Sequence, residues 1–221
     1  MKTLFIITGT TRGLGKSFYN YLNTTDNIIL TINRKKTDSD HNIILDLSNL
    51  SEENINIFDE TLNKYLTLNL KKVVFINNAF SMGEIEHFAN LDNNKIKETI
   101  NINLISSMLL LKSFIKSTSN LNIKKQILNI SSGAAQRPLD AWSIYCSTKA
   151  AIEMLVNNIK LEYPEYECYN IDPGVMNTDM QETIRDFDKG RNHDYFMDLF
   201  NKNHLLNTND VAKKLITEYI K

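Results

Sequence analysis

Three of the chain's seven glycines sit together in Thr8-Gly9-Thr10-Thr11-Arg12-Gly13-Leu14-Gly15, directly after a short apolar run, Leu4 to Ile7. Glycine tolerates the positive φ of a tight turn and lets another group approach the backbone closely. An apolar strand that ends in such a turn and feeds a helix is the opening of a βα unit. The N–H groups and positive dipole end of that helix then face whatever lies above the turn, and an anion such as a pyrophosphate suits them. The spacing is G-x-x-x-G-x-G, not the G-x-G-x-x-G of other dinucleotide folds. A purely structural turn is the alternative, and position directly after the first strand favours the anion cradle.

The remaining chain continues the alternation. Thr3–Thr8, Asn27–Ile32, Asn42–Leu45, Lys72–Asn77, Lys124–Ser131 and Glu167–Ile171 read as strands. Gly15–Leu22, Ser51–Leu68, Asp92–Lys116, Ser143–Leu161 and Thr208–Ile220 read as helices. Ser51 with Glu53 and Asp59 gives an acidic helix start, and Thr208 is the N-cap candidate of the last helix. The strands are continuous apolar runs, as expected of a parallel sheet covered on both faces. Only about ten residues link the second and third strands, short for a crossover helix. The polar stretch 177–207 reads as short helices forming a substrate lid.

Composition narrows the class. The 221 residues suit one domain spanning 1–221, and no repeat or linker divides them. The net charge of -1 offers no field for nucleic acid or an acidic membrane, and Arg34-Lys35-Lys36 is a local basic loop. The apolar run after Met1-Lys2 is too short for a secretory signal, and no run is long enough for a membrane span. A cytoplasmic location is expected, with Cys146 and Cys168 as free thiols. The four histidines lack ligand spacing, so no metal is expected.

Cofactor choice is read at the end of the second strand, where an acid would bond the ribose hydroxyls and select NAD. Asn33 stands there, followed by Arg34, and Arg12 lies in the glycine turn. Two guanidinium groups without a competing carboxylate suit the 2′-phosphate of NADP(H). Arg34 in a solvated loop is the alternative. Asp46, with Leu47 beside it, could receive the adenine amine or merely hold a turn. Asn78 and Ala79 follow the fourth strand, at the carboxyl end where such sheets bind ligands.

The strongest signal is Ser131-Ser132 followed by Tyr145-Cys146-Ser147-Thr148-Lys149. Tyr145 and Lys149, four apart, share a helix face. A nearby ammonium favours tyrosinate, so the Tyr145 pKa is expected to fall towards neutral. Such a phenol can protonate a carbonyl oxygen while hydride reaches the carbon, and Ser132 can hydrogen-bond the same oxygen. A lone Y-x-x-x-K is usually a surface pair. Here the serine strand end and the glycine turn accompany it.

With these motifs the chain resembles the short-chain dehydrogenase/reductase family over nearly its whole length. The resemblance rests on Thr8 to Gly15, Asn77 to Phe80, Asn103, Ser132, Tyr145 and Lys149, and on Pro173-Gly174-Val175-Met176-Asn177-Thr178. It implies a Rossmann-like, doubly wound parallel sheet of six or seven strands with helices on both faces. It also implies Tyr145 as general acid in reduction, Lys149 on the nicotinamide ribose, Ser132 on the carbonyl and Asn103 holding a relay water. Taken without the family, Asn103 reads as a core amide that kinks its helix. Gly9, Thr11, Gly13, Leu14 and Gly15 would line the pyrophosphate, and Pro173, Gly174, Val175 and Thr178 the nicotinamide.

Around Trp142 and Asp172 to Gln181 the chain is most similar to sepiapterin reductases and bacterial benzil reductases. Three departures stand out. Phe80 replaces a family glycine, so its loop takes another path or presents an aromatic wall. The second crossover is short. The sequence stops just after its last helix, without the C-terminal aspartate that holds the pterin in sepiapterin reductases. The expected pocket wall is Phe80, Met82, Trp142, Met176, Met180 and Phe187, an apolar lining suited to an aromatic or dicarbonyl substrate. Lid or core packing explains these residues equally well. An NADPH-dependent carbonyl reductase is therefore expected. An alcohol-oxidising biosynthetic dehydrogenase, a pterin reductase and a non-catalytic cofactor sensor are the alternatives. A homodimer through the long fourth and fifth helices is also expected, with Leu104, Met108 and Leu111 as an apolar stripe.

Overall fold

The structure is a computed structural model that describes residues 1–37, 39–186 and 193–220. Six strands form one parallel sheet: β1 (Lys2–Thr8), β2 (Asn27–Asn33), β3 (Asn42–Ile44), β4 (Leu70–Asn77), β5 (Lys124–Ile130) and β6 (Tyr166–Ile171). Their order across the sheet is β3-β2-β1-β4-β5-β6. Strands β1 and β4 have nearly every residue buried, which is why they read as unbroken apolar runs.

The helices are α1 (Gly13–Leu22), α2 (Glu52–Leu66), α3 (Asn93–Ile100), α4 (Ser106–Thr118), α5 (Ser143–Glu162), α6 (Asp179–Asp186), α7 (His193–Asn201) and α8 (Thr208–Tyr219). One face of the sheet buries Phe58 and Leu62 of α2, Leu110 and Phe114 of α4, and Ile152 and Val156 of α5. The opposite face buries Leu14 and Phe18 of α1 and Val211 and Leu215 of α8. This is the doubly wound arrangement. The chain turns from one half of the sheet to the other between β1 and β4, so a crevice opens beyond the carboxyl ends of those strands.

The boundaries differ from expectation in instructive places. Ser51 caps α2, in a reciprocal pair with Asn54. The cap of α8 is Asn207, not Thr208, and its side chain accepts from the Asn209 N–H at 2.8 Å. The Thr208 hydroxyl instead accepts from Ser17 Oγ at 2.9 Å, tying α8 to α1. The expected helix from Asp92 is capped by Asp92 but is interrupted by a π-helical turn, Asn101–Ile105, before α4. The link between β2 and β3 holds no helix among its described residues, as its length implied. No helix among the described residues is long and apolar enough to cross a membrane.

Candidate active site

The glycine turn lies at the crevice. Gly9 has φ +71, and a Cβ on Gly15 would lie 1.9 Å from the Gly9 carbonyl oxygen and 2.5 Å from Asn78 Nδ2. No side chain larger than hydrogen fits at Gly15 without moving the turn. Asn78 Nδ2 donates to the Thr8 and Gly9 carbonyls, both at 2.9 Å. Thr8 Oγ1 accepts from the Asn78 and Ala79 N–H groups, also at 2.9 Å. Asn78 and Ala79 thus brace the turn from β4. At the N-cap of α1, Arg12 gives no side-chain hydrogen bond to the first turn. Its guanidinium is instead paired with Asp179 of α6 at 2.8 Å, both side chains largely exposed.

At the adenine end the structure gives two predicted residues internal duties. Asn33 is buried; its Oδ1 accepts from the Thr10 N–H at 2.7 Å, and its Nδ2 donates to Thr10 Oγ1 at 2.9 Å and Asn42 Oδ1 at 2.8 Å. Its amide fastens the glycine turn to β3. Asp46 Oδ1 accepts from the Ser48 hydroxyl at 2.7 Å and the Ser48 N–H at 3.0 Å, which holds the carboxyl below its usual range. The turn-holding alternative therefore describes Asp46 in this structure. Arg34 is exposed and close enough to Asp46 to favour its charged form. Leu47 packs half-buried against the core.

The chemical end is assembled from β5 and α5. Ser132 follows β5 and caps the 3-10 turn Gly133–Ala135, accepting from the Ala134 N–H at 3.2 Å. Tyr145, on the first turn of α5, is buried, with the Ser132 side chain close enough to favour its ionised form. Lys149, one turn on, is 2% exposed and donates from Nζ to the Ile130 carbonyl at 2.7 Å. Its ammonium lies 5.7 Å from the Tyr145 ring centroid and 3.2 Å from that of Phe80. Burial pushes Lys149 well below the usual lysine range, opposed by Glu153 and Asp172.

The expected fall in the Tyr145 pKa is not what this arrangement gives. Burial pushes the phenol up to about 12, with only the Ser132 side chain acting the other way. Desolvation of the phenolate outweighs a lysine that is itself desolvated.

Asn103 lies in the π-helical turn and has no exposed surface. Its Oδ1 accepts from the Ser81 N–H at 2.7 Å; its Nδ2 donates to the Ser81 carbonyl at 2.9 Å and Thr148 Oγ1 at 3.0 Å. The side chain binds the loop after β4 to α5, beside Tyr145 and Lys149. The core-amide reading describes Asn103 here, and the helix is distorted where it sits.

An apolar cluster covers Tyr145. Met82, Ile85, Ala134, Ala141, Trp142, Ile184 and Phe196 pack together around it, with Val175 and Met180 half-buried against them. Trp142 meets Tyr145 edge-on at 5.9 Å and stacks on Phe196 of α7 at 5.2 Å, with ring planes 4° apart. Of the expected pocket wall, Met82, Trp142 and Met180 come together here. Met176 does not: it packs on the opposite side of the sheet with α1 and α8. Phe80 packs towards the α2–α4–α5 face, beneath Lys149. Phe187 lies outside the described residues. Phe196 and Ile184 were missed from sequence, although α7 carries apolar residues at helical spacing.

The segment read as a lid is anchored at its base. Leu206 N–H donates to the Val175 carbonyl at 2.9 Å, and Asn177 N–H to the Leu206 carbonyl at 3.0 Å. Pro173 and Gly174 lead into this bridge, with Gly174 at φ +77. The Thr178 carbonyl accepts from the Gln181 N–H at 2.8 Å as α6 begins. Its methyl lies 3.6 Å from where a Cβ on Gly13 would be, so this segment starts beside the glycine turn.

Comparison with known proteins agrees with this geometry. A family model described as short chain dehydrogenase matches residues 3–189. The benzil reductase ((S)-benzoin forming) of Bacillus cereus is 30% identical over 228 residues, covering 95% of this chain and 91% of the relative. The sepiapterin reductase of Rattus norvegicus is 33% identical over 122 residues, 53% of this chain and 46% of that protein. Among solved structures, the KRED1-Pglu enzyme superposes with a TM-score of 0.84 at 24% identity, over 100% of this chain and 95% of the other.

Proposed function

Because the chain belongs to the short-chain dehydrogenase family of oxidoreductases, we propose that it is an NADPH-dependent carbonyl reductase whose preferred substrates are vicinal, aryl-substituted diketones. The observation that carries the reading is the Ser132–Tyr145–Lys149 group, set under an apolar cluster at the carboxyl end of the sheet.

The residues present fit a dinucleotide. The first turn of α1 has no side-chain cap, so its N–H groups remain for an anion, and Gly15 brings the backbone of the turn close together. The main chain from Gly9 to Gly15 would hold the pyrophosphate. Arg34 would hold the 2′-phosphate, joined by Arg12 once released from Asp179. Asp46, Leu47 and Ala79 would flank the adenosine. Pro173, Gly174, Val175 and Thr178 would hold the nicotinamide end, where the bound NADPH supplies hydride.

Tyr145 breaks its O–H bond to protonate the carbonyl oxygen as the carbon is reduced. Ser132 donates a hydrogen bond to the same oxygen, and the Lys149 ammonium stabilises the phenolate left behind. A phenol held at about 12 carries its proton at neutral pH, as a general acid in reduction requires. The second carbonyl of a diketone withdraws electrons from the first, so hydride acceptance is easier. Met82, Trp142, Met180 and Phe196 supply apolar surface for an aryl group. Similarity to sepiapterin reductase over about half the chain supports a pterin as the second reading.

The test is kcat/KM for benzil and for sepiapterin, each with NADPH and NADH. The proposal expects benzil with NADPH to rank first. Sepiapterin equal or better would favour the second reading, and equal use of both cofactors would remove the NADPH preference.

A further inference from the structure

Phe80 stands where the matching family segment carries glycine, and its ring centroid lies 3.2 Å from Lys149 Nζ. That ammonium is almost wholly removed from solvent, and its one hydrogen bond to protein is to the Ile130 carbonyl. Among the described residues no carboxylate lies within ion-pairing distance of it. Glu153, one turn further along α5, is engaged by the Ser131 hydroxyl and by Gln136 Nε2. Asp172, beyond β6, accepts from the Gly174 N–H at 2.9 Å. Tyr145, neutral, presents its ring at 5.7 Å. A buried cation without a carboxylate in contact needs another partner, and the negative face of an aromatic ring is one.

We propose that Phe80 is a positioning residue for Lys149: its ring face keeps the buried ammonium charged and holds it between the Ile130 carbonyl and Tyr145. The inference rests on the reading of Lys149 as the partner of Tyr145 and of the nicotinamide ribose, and adds to it the residue that sustains its charge. Phe80 packs against the core beneath Lys149 and acts through the lysine. It also gives a reason for the aromatic residue at a family glycine. A larger side chain is accommodated because its ring replaces solvent over the charge.

The direction of the effect follows from the loss of a partner for the charged form. A leucine at this position keeps much of the volume and loses the ring face. The Lys149 pKa then falls further, by about one unit (about 1.4 kcal/mol), because desolvated cation–π contacts reach that size. Tyrosine at the position keeps the ring and restores the wild-type value.

The test uses the cofactor-free protein labelled with 13C at lysine Cε, with the Lys149 resonance assigned by its loss in Lys149→Arg. In the wild type, the Lys149 Hε protons should be shifted upfield by the Phe80 ring, an observation that needs no variant. In Phe80→Leu the upfield shift should vanish and the titration midpoint should drop by about one unit, with Phe80→Tyr close to wild type in both. The alkaline limb of the kcat profile should move with that midpoint. Lys149 Hε protons at an ordinary lysine shift in the wild type, or one midpoint shared by Phe80→Leu and the wild type, would overturn the proposal. A wild-type enzyme inactive on diketones would sink the substrate reading and leave the resonance data unaffected, so the two failures are separable.

Discussion

Replacing Gly15 with alanine puts the cofactor reading under the greatest geometric strain. The new Cβ would start 1.9 Å from the Gly9 carbonyl oxygen and 2.5 Å from Asn78 Nδ2. Ordinary contact lies beyond 3.4 Å, so the turn must open by more than an ångström. The atoms in the way are backbone and the amide that holds it, not the end of a flexible side chain. Opening therefore breaks the two Asn78 hydrogen bonds to Thr8 and Gly9. At about 0.5–1.5 kcal/mol each, their loss costs about 1–3 kcal/mol. For a chain of this size that lowers Tm by roughly 5 °C. The N–H groups of the turn move with the backbone, and a misplacement of about 1 Å costs about 100-fold where geometry governs function. Thermal unfolding and NADPH fluorescence titration measure the two effects. A Gly15→Ala protein that binds NADPH within about threefold of wild type would refute the assignment of this turn to the pyrophosphate.

Other perturbations probe separate parts of the account. Arg34→Ala should weaken NADPH about 10- to 100-fold and leave NADH nearly unchanged, the loss of one charge-assisted contact at about 1–3 kcal/mol; parallel titrations of both cofactors check it. Tyr145 and Tyr166 are pushed up to about 12 by burial, from an ordinary 10.0, and Cys168 to about 11 from 9.0. A raised folded-state pKa stabilises fully below the unfolded value and is lost as pH climbs through the folded one. Lys149 and Lys72, which are lowered, add stability as pH rises towards 10.5 and none beyond it. Urea midpoints should therefore decline between about pH 10.5 and 12, and a flat profile there would contradict the burial of these groups. Met108 and, on α5, Met154 and Leu161 leave apolar side chains exposed. We expect a dimer through this face by light scattering at micromolar concentration, and Met154→Lys should favour monomer.

Much of the architecture was legible because the physics behind it is local. The centre of a parallel strand covered on both faces is apolar, and β1 from Leu4 to Ile7 and β4 from Val73 to Ile76 are. Residues four apart on a helix must share a face, and Tyr145 and Lys149 do. What escaped depends on partners distant in the chain or on which of two faces a residue takes. Asn33 ends β2 and Asp46 follows β3, yet spacing cannot reveal that Thr10 and Ser48 occupy their side chains. Arg12 meets Asp179 across almost the whole sequence. Met176 and Phe80 are apolar, and apolarity does not say which core receives them. Of the expected stripe, Leu111 is buried and Leu104 half-buried, leaving Met108 to the surface. The Tyr145 pKa was misjudged because a neighbouring charge is visible in sequence and desolvation is not.

The central claim is that Tyr145 gives its proton to a carbonyl that is being reduced. Its most direct measurement is single-turnover oxidation of NADPH by benzil in the wild type and in Tyr145→Phe, with cofactor affinity measured alongside. The account predicts conversion to the hydroxyketone by the wild type, a rate lowered by about 10²–10⁴-fold in the variant, and NADPH affinity nearly unchanged. A variant retaining more than about a tenth of the wild-type rate would contradict it.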